Sequence, residues 1–139
     1  MGEVKIVNAP APEVDKNLRV LIVDDQVDIR RMLRLMLTEL GISQVFEAAD
    51  GKQAMQFTDT SIDMIDVLIC DWNMPEMSGL DLLKHLRVAY PDIPFLMVTG
   101  RADIESVTAA KAAGVTGYII KPFSLDELTA KLTKVMQRK

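Results

Sequence analysis

From Leu18 onward, short apolar runs of strand length alternate five times with longer stretches of helical periodicity. This alternation constrains the fold more than any other feature. Strands separated by helix-length connections pair in parallel, because a parallel crossover needs a dozen or more residues. The strand candidates are Leu18–Val23, Gln44–Ala48, Asp66–Cys70, Pro94–Val98 and Gly117–Ile120. Four are near-continuous apolar runs, the pattern of strands buried on both faces. Gln44-Val45-Phe46-Glu47-Ala48 is more polar and reads as an edge strand.

The helices fill the gaps. The first is expected over about Val27–Leu40, with Ile29, Leu33, Met36, Leu37 and Leu40 on one face and Gly41 as its stop. The second follows Asp50, with Ala54 and Phe57 inward. The third follows Ser78-Gly79 and carries Leu80, Leu83 and Leu86. The fourth runs about Ala102–Ala113, is rich in alanine and is thin in large apolar anchors, which suits an element that shifts between states. The fifth opens at Ser124-Leu125-Asp126-Glu127, where Ser124 and Glu127 can cap reciprocally. Leu125, Leu128, Leu132 and Val135 mark its buried face. Five βα units give an α/β, doubly wound parallel sheet with right-handed crossovers and helices on both faces. Residues 1–17 read as a tail, since Ala9-Pro10-Ala11-Pro12 is stiff and cannot pair in a sheet. Residues 18–139 read as one domain.

Charge and composition exclude several classes. The net charge is -4 and the pI about 5.0, so direct nucleic-acid binding, which wants a basic stripe, is not expected. No apolar run approaches the ~20 residues of a membrane span, and the N-terminus lacks the pattern of a signal peptide. One cysteine allows no internal disulfide, in keeping with a reducing, cytoplasmic setting.

Ligands of such sheets sit beyond the carboxyl ends of the strands, and the polar residues fall there. Strand one ends in Asp24-Asp25, strand three in Asp71, strand four in Thr99 and strand five in Lys121. Three crowded carboxylates repel and raise each other's pKa, a conflict that a divalent cation removes. Oxygen ligands without histidine or cysteine favour Mg2+ over zinc, and Mn2+ can substitute. The plainer reading, that Asp24 and Asp25 cap the first helix and Asp71 merely ends a strand, accounts for each alone but not for all three at these positions. Asp71 is the best nucleophile, because carboxylates form acyl phosphates and the chemistry is mostly positioning and charge neutralisation. Lys121 can pair with a phosphoryl oxygen. Thr99 can donate its hydroxyl, with Gly100 leaving the approach open. Tyr118 reads equally well as core packing.

The runs Val23-Asp24-Asp25, Cys70-Asp71-Trp72-Asn73-Met74-Pro75-Glu76-Met77-Ser78-Gly79, Val98-Thr99-Gly100 and Gly117-Tyr118-Ile119-Ile120-Lys121-Pro122-Phe123 resemble the receiver domains of two-component response regulators. Among these they are most similar to the single-domain, CheY-like chemotaxis type. The resemblance covers about Leu18 to Val135. It implies a flavodoxin-like strand order 2-1-3-4-5, which periodicity does not reveal. It implies Asp71 as phosphoacceptor, with Asp25, Asp71 and the main-chain carbonyl of Asn73 as direct Mg2+ ligands and Asp24 acting through water. Lys121 would contact the phosphoryl group, before a cis Lys121–Pro122 bond. Thr99 and Tyr118 would form a switch pair that reshapes the face of helix four, strand five and helix five, the ring of Tyr118 turning inward after phosphorylation. The implied partners are a sensor histidine kinase or phosphotransfer protein and a downstream protein target, with chemotaxis or motility as the pathway of that type. No output module is expected beyond Lys139, so output is expected through protein contacts. Two departures stand out: Arg101, where the chemotaxis type carries an acidic residue, and the length of the tail.

Other residues carry less. His85, the one histidine, is expected as a partly exposed helix residue, Cys70 as a small buried hydrophobe and Trp72 as packing near the site. Arg30, Arg31 and Arg34 read as a solvated face, with docking to an acidic partner as the alternative. Two other functions fit the same architecture. An aspartate-nucleophile, Mg2+-dependent phosphohydrolase would want Asp-x-Asp, whereas the chain has Asp71-Trp72-Asn73. A flavodoxin-like electron carrier would place a flavin phosphate against Asp24 and Asp25, which is electrostatically wrong.

Overall fold

The computed structural model describes residues 13–137. The chain runs β1 (Arg19–Val23), α1 (Val27–Glu39), β2 (Gln44–Ala48), α2 (Gly51–Ser61), a 3-10 turn at Ile62–Met64, β3 (Val67–Cys70), α3 (Gly79–Ala89), β4 (Phe95–Thr99), α4 (Ile104–Ala112), β5 (Gly117–Ile120) and α5 (Leu125–Gln137). The five strands form one parallel sheet in the order β2-β1-β3-β4-β5. Of the expected tail, residues 1–12 lie outside the described residues. Val14 packs partly buried against the core, just before β1.

Alternation along the strands sorts the core into two layers. Val20, Ile22, Val67, Ile69, Leu96 and Val98 face α1 and α5, meeting Leu33, Leu37, Leu128, Leu132 and Val135. Leu21, Val23, Leu68, Cys70, Phe95 and Met97 face the other way and meet Ala54, Leu82, Leu83, Leu86 and Ala110 of α2, α3 and α4. Leu82, which the helical pattern did not single out, is fully buried. β1, β3 and β4 are interior strands, and Val67–Cys70 and Phe95–Thr99 are buried throughout. β2 lies at one edge, as its polarity predicts. β5 lies at the other edge, and its apolar run therefore does not mean burial on both faces: Ile120 is exposed.

Caps set the helix ends. α3 begins with a capping box in which Ser78 Oγ accepts from Asp81 N and Asp81 Oδ2 accepts from Ser78 N. α5 uses the same device at Ser124 and Glu127, as expected. α4 starts at Ile104, two residues later than periodicity suggests, because Asp103 caps it by accepting from Ser106 N. α1 stops before Gly41, whose φ of 84° is one that glycine adopts without strain.

Candidate functional site

The parallel ladder continues past the strand ends and carries the polar residues into place. Asp24 N donates to Ala48 O (3.2 Å), Asp71 N to Val23 O (3.0 Å) and Lys121 N to Thr99 O (2.9 Å). Asp24, Asp25 and Asp71 each offer a carboxylate oxygen within 4.8 Å of the others. Asp24 and Asp71 are buried and Asp25 is exposed. Lys121 Nζ stands 3.6 Å from Asp24 Oδ2 and 3.6 Å from Asp71 Oδ1. Asp71 Oδ1 also accepts from Trp72 N (2.7 Å).

Asp24 and Asp25 are not helix caps. The N-cap of α1 is Gln26, which makes no side-chain cap bond, and Asp24 Oδ1 is taken by Gln26 N at 2.8 Å. Burial pushes the Asp24 carboxyl above the usual range. The Gln26 bond and Lys121 act against that shift, while Asp71 and Asp25 add to it. Three hard oxygen donors facing one ammonium suit a hard divalent cation that neutralises them and keeps other positions for water or phosphate.

Thr99 and Tyr118 meet at the turn after β4. Thr99 is fully buried, and its Oγ1 accepts from Arg101 N (3.2 Å). The hydroxyl of Tyr118 donates to Arg101 O (2.7 Å), its ring packs against the α2–α4 side of the core, and burial raises its phenol. Lys121–Pro122 is cis, as the resemblance implies.

Two residues gain a role that their sequence context hides. The Arg101 guanidinium lies 4.8 Å above the Trp72 ring and donates to Asn73 Oδ1 from Nε (3.1 Å) and from a terminal nitrogen (2.9 Å). A Cβ at Gly79 would collide with the Asp71 carbonyl oxygen, so the start of α3 approaches the chain at Asp71 closely because position 79 is glycine. Its signal in sequence is a poor helix former at the first helical position. Trp72 and Cys70 are buried, as expected; burial first, then Asp71 and Asp24, raise the Cys70 thiol well above its ordinary value. His85 is partly exposed on α3. The basic patch on α1 is largely spent internally: Arg30 Nε and Arg34 Nε bind Glu47 at 3.0 and 2.6 Å, and Arg30 also donates to Asp24 O.

A buried strand-end aspartate flanked by two acidic residues and a lysine, on a sheet ordered 2-1-3-4-5, is the arrangement of a receiver domain. The response regulator receiver domain family matches residues 20–133, and the chain belongs to it. Its curated relatives include proteins of the CheY type. Chemotaxis protein CheY-3 of Vibrio cholerae is 40% identical over 127 residues, covering 90% of this chain and 96% of that protein. Chemotaxis protein CheY of Pseudomonas aeruginosa is 38% identical over 123 residues, covering 87% and 98%. Among solved structures, Vibrio cholerae CheY4 superposes with a TM-score of 0.78 at 36% identity, covering 86% of this chain and 98% of that one. Among the described residues no helix is long and apolar enough to cross a membrane.

Proposed function

We propose that this receiver is a response regulator that takes a phosphoryl group onto Asp71 from the phosphohistidine of a sensor histidine kinase or phosphotransfer protein. A carboxylate oxygen of Asp71 bonds to phosphorus while the P–N bond breaks and the departing imidazole takes a proton. Lys121, within reach of Asp71, pairs with a phosphoryl oxygen, and Thr99 donates its hydroxyl to another. Mg2+, which Asp25, Asp71 and the Asn73 carbonyl would hold directly and Asp24 through water, supplies charge neutralisation when bound; Mn2+ substitutes. The protein catalyses only its own phosphorylation and the hydrolysis that ends it.

Residues 18–139 form the signalling unit, which acts in the cytoplasm. Its output is a protein-binding face of α4, β5 and α5, set by Thr99 and Tyr118. The names of its relatives support chemotaxis or motility as the pathway.

The observation that carries the reading is the meeting of Asp24, Asp25 and Asp71 from two strands with Lys121 from a third. Incubation with Mg2+ and acetyl phosphate should give an acid-stable, base-labile phosphoprotein by mass spectrometry. Undiminished labelling of Asp71→Asn would refute it.

A further inference from the structure

The segment 100–103 between β4 and α4 is exposed throughout. A Cβ at Gly100 would meet nothing within 4 Å, so packing around Gly100 does not hold the turn in place. Both switch hydroxyls nevertheless depend on this turn, and through main-chain atoms of one residue. Thr99 Oγ1 accepts from Arg101 N, and Tyr118 donates to Arg101 O. The Arg101 side chain reaches in the opposite direction. It stacks on Trp72 and places two N–H groups on Asn73 Oδ1, gripping the loop that begins at Asp71. A flat guanidinium does both at once, which an ammonium cannot.

We propose that Arg101 is a positioning residue that tethers the switch pair to the phosphoacceptor loop. Its side chain follows the loop at Asp71, and its main chain carries that position to Tyr118. Site occupancy and the Tyr118 hydroxyl are then linked through one residue, in addition to any path through the Thr99 hydroxyl. Truncating the side chain leaves the main-chain bonds available but frees the turn from the loop. This rests on the reading of Asp71 as the phosphoryl site and adds a route by which the site is read.

Trp72 is the one tryptophan, so its fluorescence reports the Arg101 contact. Fluorotyrosine labels Tyr118, with Tyr90, whose hydroxyl sits on Thr58 O outside this network, as reference. The probe is beryllofluoride with Mg2+, which stands in for the phosphoryl group on Asp71. Its occupancy is followed separately by the fluorine signal of the bound probe. In the wild type, Trp72 emission and the Tyr118 signal should change together as the site fills. In Arg101→Ala at equal occupancy, the Tyr118 change should fall by about half or more, the scale of losing an exposed cation's contacts. Arg101→Lys, which keeps the charge but loses the paired bonds, should fall short of the wild type. A full Tyr118 response in either variant at equal occupancy would overturn the tether. Absence of bound probe in the wild type would instead overturn the reading of Asp71.

Discussion

Asp24 and Asp66 lie at opposite ends of the sheet and behave in opposite ways. Asp66, just before β3, receives a hydrogen bond from Arg19 N and two from the Arg19 guanidinium, at 2.8, 3.1 and 2.9 Å. Those bonds hold its carboxyl below the usual range against a partial burial penalty. Asp24, just after β1, is buried beside two other carboxylates and reaches one lysine at 3.6 Å, and its carboxyl is held above that range. One end of the sheet is a satisfied ion pair that supports the fold. The other buries a carboxylate whose charge is disfavoured first by desolvation and then by two neighbouring carboxylates, a conflict that a cation can relieve, and such tension is typical of functional sites.

The largest test of that contrast is Gly79→Ala. A methyl group that collides with the Asp71 carbonyl oxygen must displace backbone. Stability should fall by about 3 kcal/mol in urea unfolding, and labelling by acetyl phosphate should be lost with it. Next in size is Asp24→Asn, which removes one of the crowded charges. It should stabilise the metal-free protein at neutral pH by about 1 kcal/mol while reducing the rise in Tm that Mg2+ gives the wild type. A destabilised Asp24→Asn would break the comparison.

The pH dependence then separates the two ends. A raised folded pKa means that Asp24 contributes stability below the ordinary carboxylate range, lost as pH rises through its folded value. A lowered folded pKa means that Asp66 contributes stability above that range, lost as pH falls through its folded value. Metal-free Asp24→Asn should therefore gain on the wild type as pH rises from about 4 toward 7. Asp66→Asn should instead fall behind the wild type as pH rises through the acid side of the ordinary carboxylate range, up to about 4, and by less, because its pair with Arg19 is partly exposed and screened. The smallest effect belongs to Glu76, a non-glycine residue with φ of 69° in the loop after Asp71. Glu76→Gly should relieve that strain and raise stability by about 0.5 kcal/mol, read in the same unfolding experiment.

Much of this molecule was legible in its residues. Short strand-length runs, four of them near-continuously apolar, placed all five strands to within a residue at each end, since burial in a sheet interior demands contiguous hydrophobes. The strand ends named Asp24, Asp25, Asp71, Thr99 and Lys121, because parallel topology sends every carboxyl end to one edge. What the pattern missed has a common cause. Arg31 and Arg34 of α1 are exposed, as a solvated face requires, but local pattern did not show that Glu47 of β2 pairs with Arg30 and Arg34. Ile120 looked buried, yet β5 is an edge strand.

By itself the sequence determined the βα alternation, the apolar strands and the identity of the carboxylates, all properties of local pattern and spacing. Only the tertiary structure decided who meets whom. It set Asp24 under electrostatic tension and Asp66 at rest, put Gly79 against the Asp71 carbonyl and laid Arg101 across Trp72 and Asn73 with Tyr118 on its carbonyl. The reason is physical: burial, close approach and charge pairing depend on distances through space, and residues 28 positions apart, such as Asn73 and Arg101, acquire those distances only when the sheet is assembled.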